Sequence, residues 1–383
     1  MAKYEIFQEI QTESNKFHAF YSASPKRFNL LKEHLDLLGE PYFTPMQIYK
    51  VRWIASHDLA MQIMIKNMKS IISHLIAISS YKYDRKTEPV ELYTQATITK
   101  AIQMRLFFTE KNVMMAMNFN RDIQTLFKDQ SLEFQTRYST LIGQSRREEK
   151  LQYLLNLIDN EKGENLKAFL AKTICYQDNP ANGRPCESIQ EYDASHVLYE
   201  GYSLHEVIVK DKNDQDVNKY QKLSTWKSTY IQEIRNQLDA FFPVNGDKTK
   251  GRVAMKIFDV LDQTTWPVSP AKKLAYVPGS IEPIKALFGV ANDDLQQEFE
   301  RVVAAILADR KLYCRNKRSP PVLFWAKVLR QIEMRIELKS LLLKVLCIPF
   351  SSSDAERTFS LMNIIKSKER TRLSTFMLDH YLR

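Results

Sequence analysis

Through most of this 383-residue chain the apolar side chains recur every three or four positions, the spacing that lines one face of a helix. Ile63, Met64, Met68, Ile71, Ile72, Leu75 and Ile76 keep that spacing, as do Phe299, Val302, Val303 and Ile306. Trp226, Tyr230, Ile234 and Leu238 form a single i, i+4 row. Nine glycines are too few for the many tight turns of a strand-rich fold. The abundant Leu, Ile, Met, Lys, Glu and Gln suit helices. The expected fold class is mainly α.

Punctuation divides the pattern. Residues 1–44 read as two helices, with Phe7, Ile10, Phe17, Phe20 and Tyr21 on the first and Phe28, Leu31, Leu35 and Leu38 on the second, after Pro25. Gly39 and Pro41 end them. Gln47-Ile-Tyr-Lys-Val-Arg-Trp53 favours β structure and predicts a single strand. Helix resumes over residues 55–159. Within it, Val113-Met-Met-Ala-Met117 reads as packed core rather than an adaptable groove, and Gln144-Ser-Arg-Arg-Glu-Glu-Lys150 as a charged, exposed helix start. Residues 176–192 are dense in Asn, Pro and Gly and predict a loop. Short β-like passages follow at 197–199 and 206–210, then a polar turn over 211–216. Pro267, Pro270, Pro278 and Pro283 preclude a regular element over 262–285. Arg315-Asn-Lys-Arg-Ser-Pro-Pro321 is a basic hinge, and 322–345 predicts one long helix before Pro349.

The formal charge is +10, and its location says more than its size. Residues 301–383 hold seventeen Lys and Arg against seven Asp and Glu, whereas residues 1–300 balance at thirty-eight each. A surplus confined to the last fifth of a chain suits a polyanion-binding surface, and equally a solvated helical face turned to a protein partner. Cys175, Cys186, Cys314 and Cys347 are scattered, with no CxxC pair and no histidine at ligand spacing, so neither a zinc site nor a disulfide scaffold is expected. The opening MAKYEIFQEIQ lacks an apolar h-region, and no apolar run approaches the roughly 18 residues of a membrane span. An intracellular protein is expected, nuclear or cytoplasmic with the nucleus favoured, and without a membrane partner.

Segment 341–383 carries the chemistry. Ser353-Asp-Ala-Glu356 is a capping box, with Ser353 as N-cap and Glu356 reaching back to it. A capped helix also holds its carboxylate rigidly. Lys366-Ser-Lys-Glu-Arg-Thr-Arg372 sets four cations against one carboxylate, as a phosphate-contacting tract or a solvated connection would. Phe359, Leu361, Met362, Ile365, Leu373, Met377, Leu378 and Tyr381 form an apolar surplus for so short a stretch. Burying it, on a partner or on the chain's own 322–346 helix, is favourable at about 25 cal/mol per Å².

Pro349-Phe-Ser-Ser-Ser-Asp-Ala-Glu-Arg-Thr-Phe-Ser360 resembles the C-terminal region of hAT-superfamily transposases. Their pattern there is an apolar helix, Pro, small residues, Ser/Ala-x-Glu-Arg-x-Phe-Ser, a Lys/Arg tract and Arg-Leu-Ser. Glu356-Arg-Thr-Phe-Ser360 and Arg370-Thr-Arg-Leu-Ser374 supply the motifs in order. Val51-Arg-Trp-Ile54 is similar to the Arg-Trp pair that precedes the family's helical insertion.

The resemblance implies a truncated ribonuclease-H-like remnant over 1–53 ending in an Arg-Trp strand, a large all-helical insertion over 54–320, and ribonuclease-H-like helices with a dimerisation region over 321–383. It implies Glu356 as a vestigial third carboxylate of an Asp-Asp-Glu set that holds two divalent metals for phosphodiester transfer. It implies nucleic-acid contacts from Arg52, Trp53, Arg357, Lys366, Lys368, Arg370 and Arg372, with the Trp53 indole stacking on an unpaired or flipped base. It also implies a dimer, with a second copy or a related hAT protein, through Leu346, Phe359, Met362, Ile365, Leu373 and Leu378.

The chain departs from the family ahead of Arg52. The family's two aspartates lie on strands before the Arg-Trp pair, but Asp36 is the only aspartate there, in a helical context. A zinc-binding DNA-recognition module is not seen either. One carboxylate cannot hold a two-metal site, so no metal site is complete and no cofactor is expected, Mg²⁺ or Mn²⁺ serving only a complete set. The expected protein is transposase-derived, does not cut DNA, dimerises and binds nucleic acid non-specifically. The alternatives are an active or trans-complementing transposase and a helical scaffold for a protein partner.

Overall fold

The computed structural model describes residues 5–48, 53–82, 93–134, 140–211, 213–241 and 255–348. It is 68% helical and 7% strand, which makes the fold mainly α, as the apolar spacing requires. The chain begins with α1 (Glu5–Ser22), α2 (Pro25–Leu37), α3 (Trp53–Lys66), α4 (Met68–Ser79), α5 (Gln95–Phe108), α6 (Lys111–Phe134), α7 (Gln144–Asn160) and α8 (Glu164–Ala171). Their limits are local. Ser24 caps α2 by accepting from the Arg27 amide, with Pro25 in the first turn, and Thr94 caps α5 through the Thr97 amide. Gly39, at φ 66°, turns the chain left-handed after α2, a conformation that side chains with a Cβ resist.

Among its described residues, the stretch 47–53 shows no strand. Residues 41–48 have no regular structure, 49–52 lie outside the described residues, and Trp53 opens α3 instead of ending a strand. The Asn15 side chain replaces a ladder at Ile48, accepting from its N–H at 2.8 Å and donating to its C=O at 3.5 Å.

The strands that the structure does describe lie over 173–218, inside the stretch expected to be all-helical. β1 (Thr173–Tyr176), β2 (Arg184–Pro185), β3 (His196–Tyr199) and β4 (Tyr202–Ser203) make an antiparallel sheet of order β2-β1-β3-β4. β5 (Ile208–Lys210) and β6 (Asp216–Asn218) make a hairpin around the polar turn, where Asp211 Oδ1 accepts from the Asn213 and Gln215 amides. The loop expected over 176–192 is more ordered than its composition suggests. It holds a 3-10 turn, β2 and the start of α9 (Ile189–Ala194), capped by Ser188. It also holds a disulfide, Cys175–Cys186, that scattered cysteines gave no reason to expect. Pairing of Cys175 with Arg184 brings the sulfur-bearing residues to a Cα separation of 5.4 Å, and spacing alone carries no such register.

The chain divides into two compact units whose limits differ from the divisions 1–53, 54–320 and 321–383. The first comprises Met1–Lys128 and Leu154–Glu233. Ile10, Phe17, Leu31, Leu35, Ile71 and Leu75 are among its fully enclosed side chains, and Val113 to Met117 are buried to 1% exposure or less, as packed core. α10 (Leu223–Phe241) sets Trp226 and Tyr230 against Phe7 and Phe119, with ring centroids 5.2–6.0 Å apart.

The second unit comprises Asp129–Tyr153 and Ile234–Arg383. Its core gathers Trp266, Phe299, Val302, Phe324, Trp325 and Leu341, and the Trp325 indole N–H donates to the Leu261 carbonyl at 2.8 Å. Two expectations are corrected here. The start of α7 is exposed only at Glu149 and Lys150: Gln144, Ser145 and Glu148 are buried, Ser145 donates to Asp259, and Arg146 pairs with Asp262. Nor is 322–345 one helix. Pro321–Gln331 and Ile336–Cys347 are separate helices, parted at Ile332, whose φ of −112° and ψ of 123° are extended. Glu298 and Arg301 supply the bonds that the continued helix would have made: Glu298 Oε1 accepts from the Arg335 amide at 2.9 Å, and Arg301 Nη2 donates to the Glu333 carbonyl at 2.7 Å.

Candidate functional site

Most of the residues singled out by the sequence motifs lie outside the described residues. These are Glu356, Arg52, Arg357, Lys366, Lys368, Arg370, Arg372, Phe359, Met362, Ile365, Leu373 and Leu378. Trp53 opens α3, and its side chain is likewise outside what is described. Leu346, the described member of the expected dimerisation set, is partly buried against the second unit's own core. Asp36 is exposed in the last turn of α2 and accepts from the Tyr42 hydroxyl at 2.5 Å. Among the described residues no group of three or more His, Cys, Asp or Glu could hold a metal ion. No described helix is long and apolar enough to cross a membrane.

What the described residues do assemble is a basic face in the second unit. Residues 301–348 carry eleven Lys and Arg against three Asp and Glu, a net +8 of the chain's +10, so the surplus belongs to these helices more than to the tract at 366–372. The helix Arg310–Asn316 and the turn after it expose Arg310, Lys311, Arg315 and Arg318. Asp309, the single carboxylate in 301–318, is engaged as that helix's N-cap, accepting from the Lys311 and Leu312 amides at 2.8 and 2.9 Å.

A second segment joins this face from forty residues upstream. The short helix Pro270–Leu274 brings exposed Lys272 and half-buried Lys273. It forms inside the stretch whose prolines were expected to preclude a regular element, because Pro270 falls in its first turn. Lys273 Nζ donates to the Leu307 carbonyl at 3.2 Å and sits 4.7 Å from the centre of the buried Tyr313 ring. Lys317 approaches the same ring at 5.7 Å and donates to the Trp266 carbonyl, and partial burial lowers its proton affinity below the ordinary lysine value. Lys273 and Lys317 thus pin the face together. Lys272, Arg310, Lys311, Arg315 and Arg318 form no ion pair among the described residues and face solvent. The sequence signal for this arrangement was the basic hinge at 315–321; nothing in it announced that Lys272 and Lys273 would join.

The first unit's polar clusters have a different character. Lys111 is buried and donates to the carbonyls of Asp193 and Ser195 at 3.2 and 2.8 Å and to Glu206 at 3.4 Å. Burial pulls its pKa below the lysine range, but three partners engage all three of its protons. Neighbouring Glu110 is fully buried, which pushes its carboxyl up to about 7. His74 is held down at about 3 by burial and contacts the Tyr21 hydroxyl through Nδ1 at 2.9 Å. Lys111 and the Tyr21–His74 pair are buried and hydrogen-bonded within the unit, so these clusters read as internal ties.

No protein-family model, no curated protein and no solved structure matches this chain.

Proposed function

We propose that this chain is a hAT-like, transposase-derived protein that binds nucleic acid without sequence preference and self-associates, and that it does not itself cut or join strands. In this reading residues 54–320 correspond to the family's helical insertion, and 1–53 and 321–383 to the remainder of a ribonuclease-H-like domain, with the nucleus as its location. The observation that carries nucleic-acid binding is the exposed set Lys272, Arg310, Lys311, Arg315 and Arg318, which forms no ion pair among the described residues and lies within a region of net positive charge. Such cations release counterions from phosphates, which makes affinity fall steeply with salt. Self-association rests on the apolar surplus that includes Phe359, Met362, Ile365, Leu373 and Leu378.

Fluorescence anisotropy of a labelled duplex in graded KCl tests the first part. Five phosphate contacts at about 0.9 each predict a log–log slope near −4.5. A slope near zero would sink it. Light scattering on a sizing column tests the second: a monomer at every workable concentration, alike for the native chain and Phe359→Glu, would end it. Strand cleavage in Mg²⁺ or Mn²⁺ that is abolished by Glu356→Ala would establish the active alternative instead.

A further inference from the structure

Three aliphatic side chains stand in water beside the basic helix: Leu274 at 91% exposure, Val277 at 73% and Val268 at 54%. Single exposed aliphatics are ordinary, but here three fall within ten residues of a segment that Lys273 ties to the basic helix. Their segment is held from behind. Pro267, Pro270 and Pro278 restrict its backbone, and Ser269 accepts from the Lys272 amide at 3.4 Å. Lys273 ties it to the Leu307 carbonyl, and Tyr276 packs 6.4 Å from Trp266, ring centre to ring centre. A backbone restricted in this way loses little freedom when its exposed side chains leave water.

A surface that only neutralises phosphates has no use for aliphatic tips. They gain where they leave water, and in nucleic acid that place is between base pairs. Stacking on single strands calls for exposed rings, whereas Tyr313 and Trp266 are buried here. Aliphatic side chains flanked by cations match instead the wedges that enter a step of duplex DNA.

We infer that Leu274 and Val277 form an aliphatic wedge that unstacks one base step of duplex DNA while Lys272, Arg310, Lys311, Arg315 and Arg318 hold the flanking phosphates, so that the bound duplex is kinked. The inference rests on the nucleic-acid reading above. Wedges of this kind bend DNA by roughly 20–90°. Pyrimidine–purine steps unstack most easily, so a central TA step favours the complex.

The test uses the full chain and a short duplex carrying a dye at each end. The native chain is expected to shorten the dye separation, more so with a central TA step. Leu274→Ser combined with Val277→Ser, both at exposed positions, is expected to keep the melting temperature and the salt slope but to leave the duplex straight. Replacing Arg310, Lys311, Arg315 and Arg318 with Ala should flatten the slope by about 3.6, at 0.9 per phosphate. Binding without bending by the native chain, or bending retained by the double variant, overturns the wedge and leaves nucleic-acid binding standing. Absence of salt-dependent binding to the duplex overturns both. So does binding to phosphatidylserine vesicles in place of the duplex.

Discussion

The backbone N–H of Arg335 donates to Glu298 Oε1 at 2.9 Å, across the break that separates the last two described helices. Arg301 grips the same carboxylate from its own helix, through Nε at 2.8 Å and Nη2 at 2.9 Å. A buried carboxylate is costly unless every lone pair it buries is answered, and here a helix end answers with its otherwise unpaired amide.

The Arg301 hydrogen bond is the largest cause holding Glu298 down at about 2, from an ordinary 4.5. A depressed carboxyl contributes stability that is present above the unfolded value and lost as pH falls through the folded one. Stability should therefore decline between about pH 4.5 and 2 on this account. Glu298→Gln should cost about 1–3 kcal/mol at pH 7 and remove that acid limb. Urea unfolding at pH 7 and pH 3 checks both; an acid limb unchanged in the variant would refute the assignment.

Glu110 works in the opposite sense. Burial raises it to about 7, so the folded chain keeps a proton that the unfolded chain has released. Its contribution is whole below about pH 4.5 and lost as pH rises through 7. Glu110→Gln can still accept from the Val113 amide, which Glu110 now holds at 2.6 Å. The variant should melt higher than the native chain at pH 8 and show little difference at pH 5. Calorimetry at the two pH values decides, and a variant that loses stability equally at both would count against it.

Trp325 is fully buried and donates to the Leu261 carbonyl. Trp325→Phe keeps much of the packing but orphans that acceptor, at a cost of about 1–3 kcal/mol. Trp325→Ala adds a cavity and should cost about 3–5 kcal/mol. Denaturant midpoints that placed the two variants together would mean that the cavity collapses.

Closing an eleven-residue separation, the Cys175–Cys186 bond should stabilise the first unit by about 2–3 kcal/mol. Reductant is expected to lower the melting temperature of the native chain and leave Cys175→Ser with Cys186→Ser unaffected. An equal drop in both would trace the effect to other chemistry.

Helices were legible from this sequence because their signal is local. The apolar row Phe299, Val302, Val303 and Ile306 is the buried face of its helix, and Ser24 with Pro25 marks the start of α2 as it should. At Gln47 and Ile48 the β preference misled, because preference alone cannot supply a neighbouring strand, and Asn15 satisfies Ile48 instead. Charged residues at 144–148 looked solvated, since nothing near them in the chain reveals that Asp259 and Asp262 would come to meet them.

Sequence by itself determined that this chain is mainly helical, where its first two helices lie, that its positive charge is confined to the last fifth, and which terminal motif resembles a transposase. Each of these depends on residues a few positions apart. Only the tertiary structure decided that Cys186 meets Cys175, that 322–345 breaks where Glu298 captures Arg335, and that Lys272 and Lys273 join Arg310 to Arg318 around Tyr313. Those contacts link residues separated by eleven to more than forty positions. Their free energy is realised only when packing brings both partners out of water together, and no periodicity in the chain encodes that encounter.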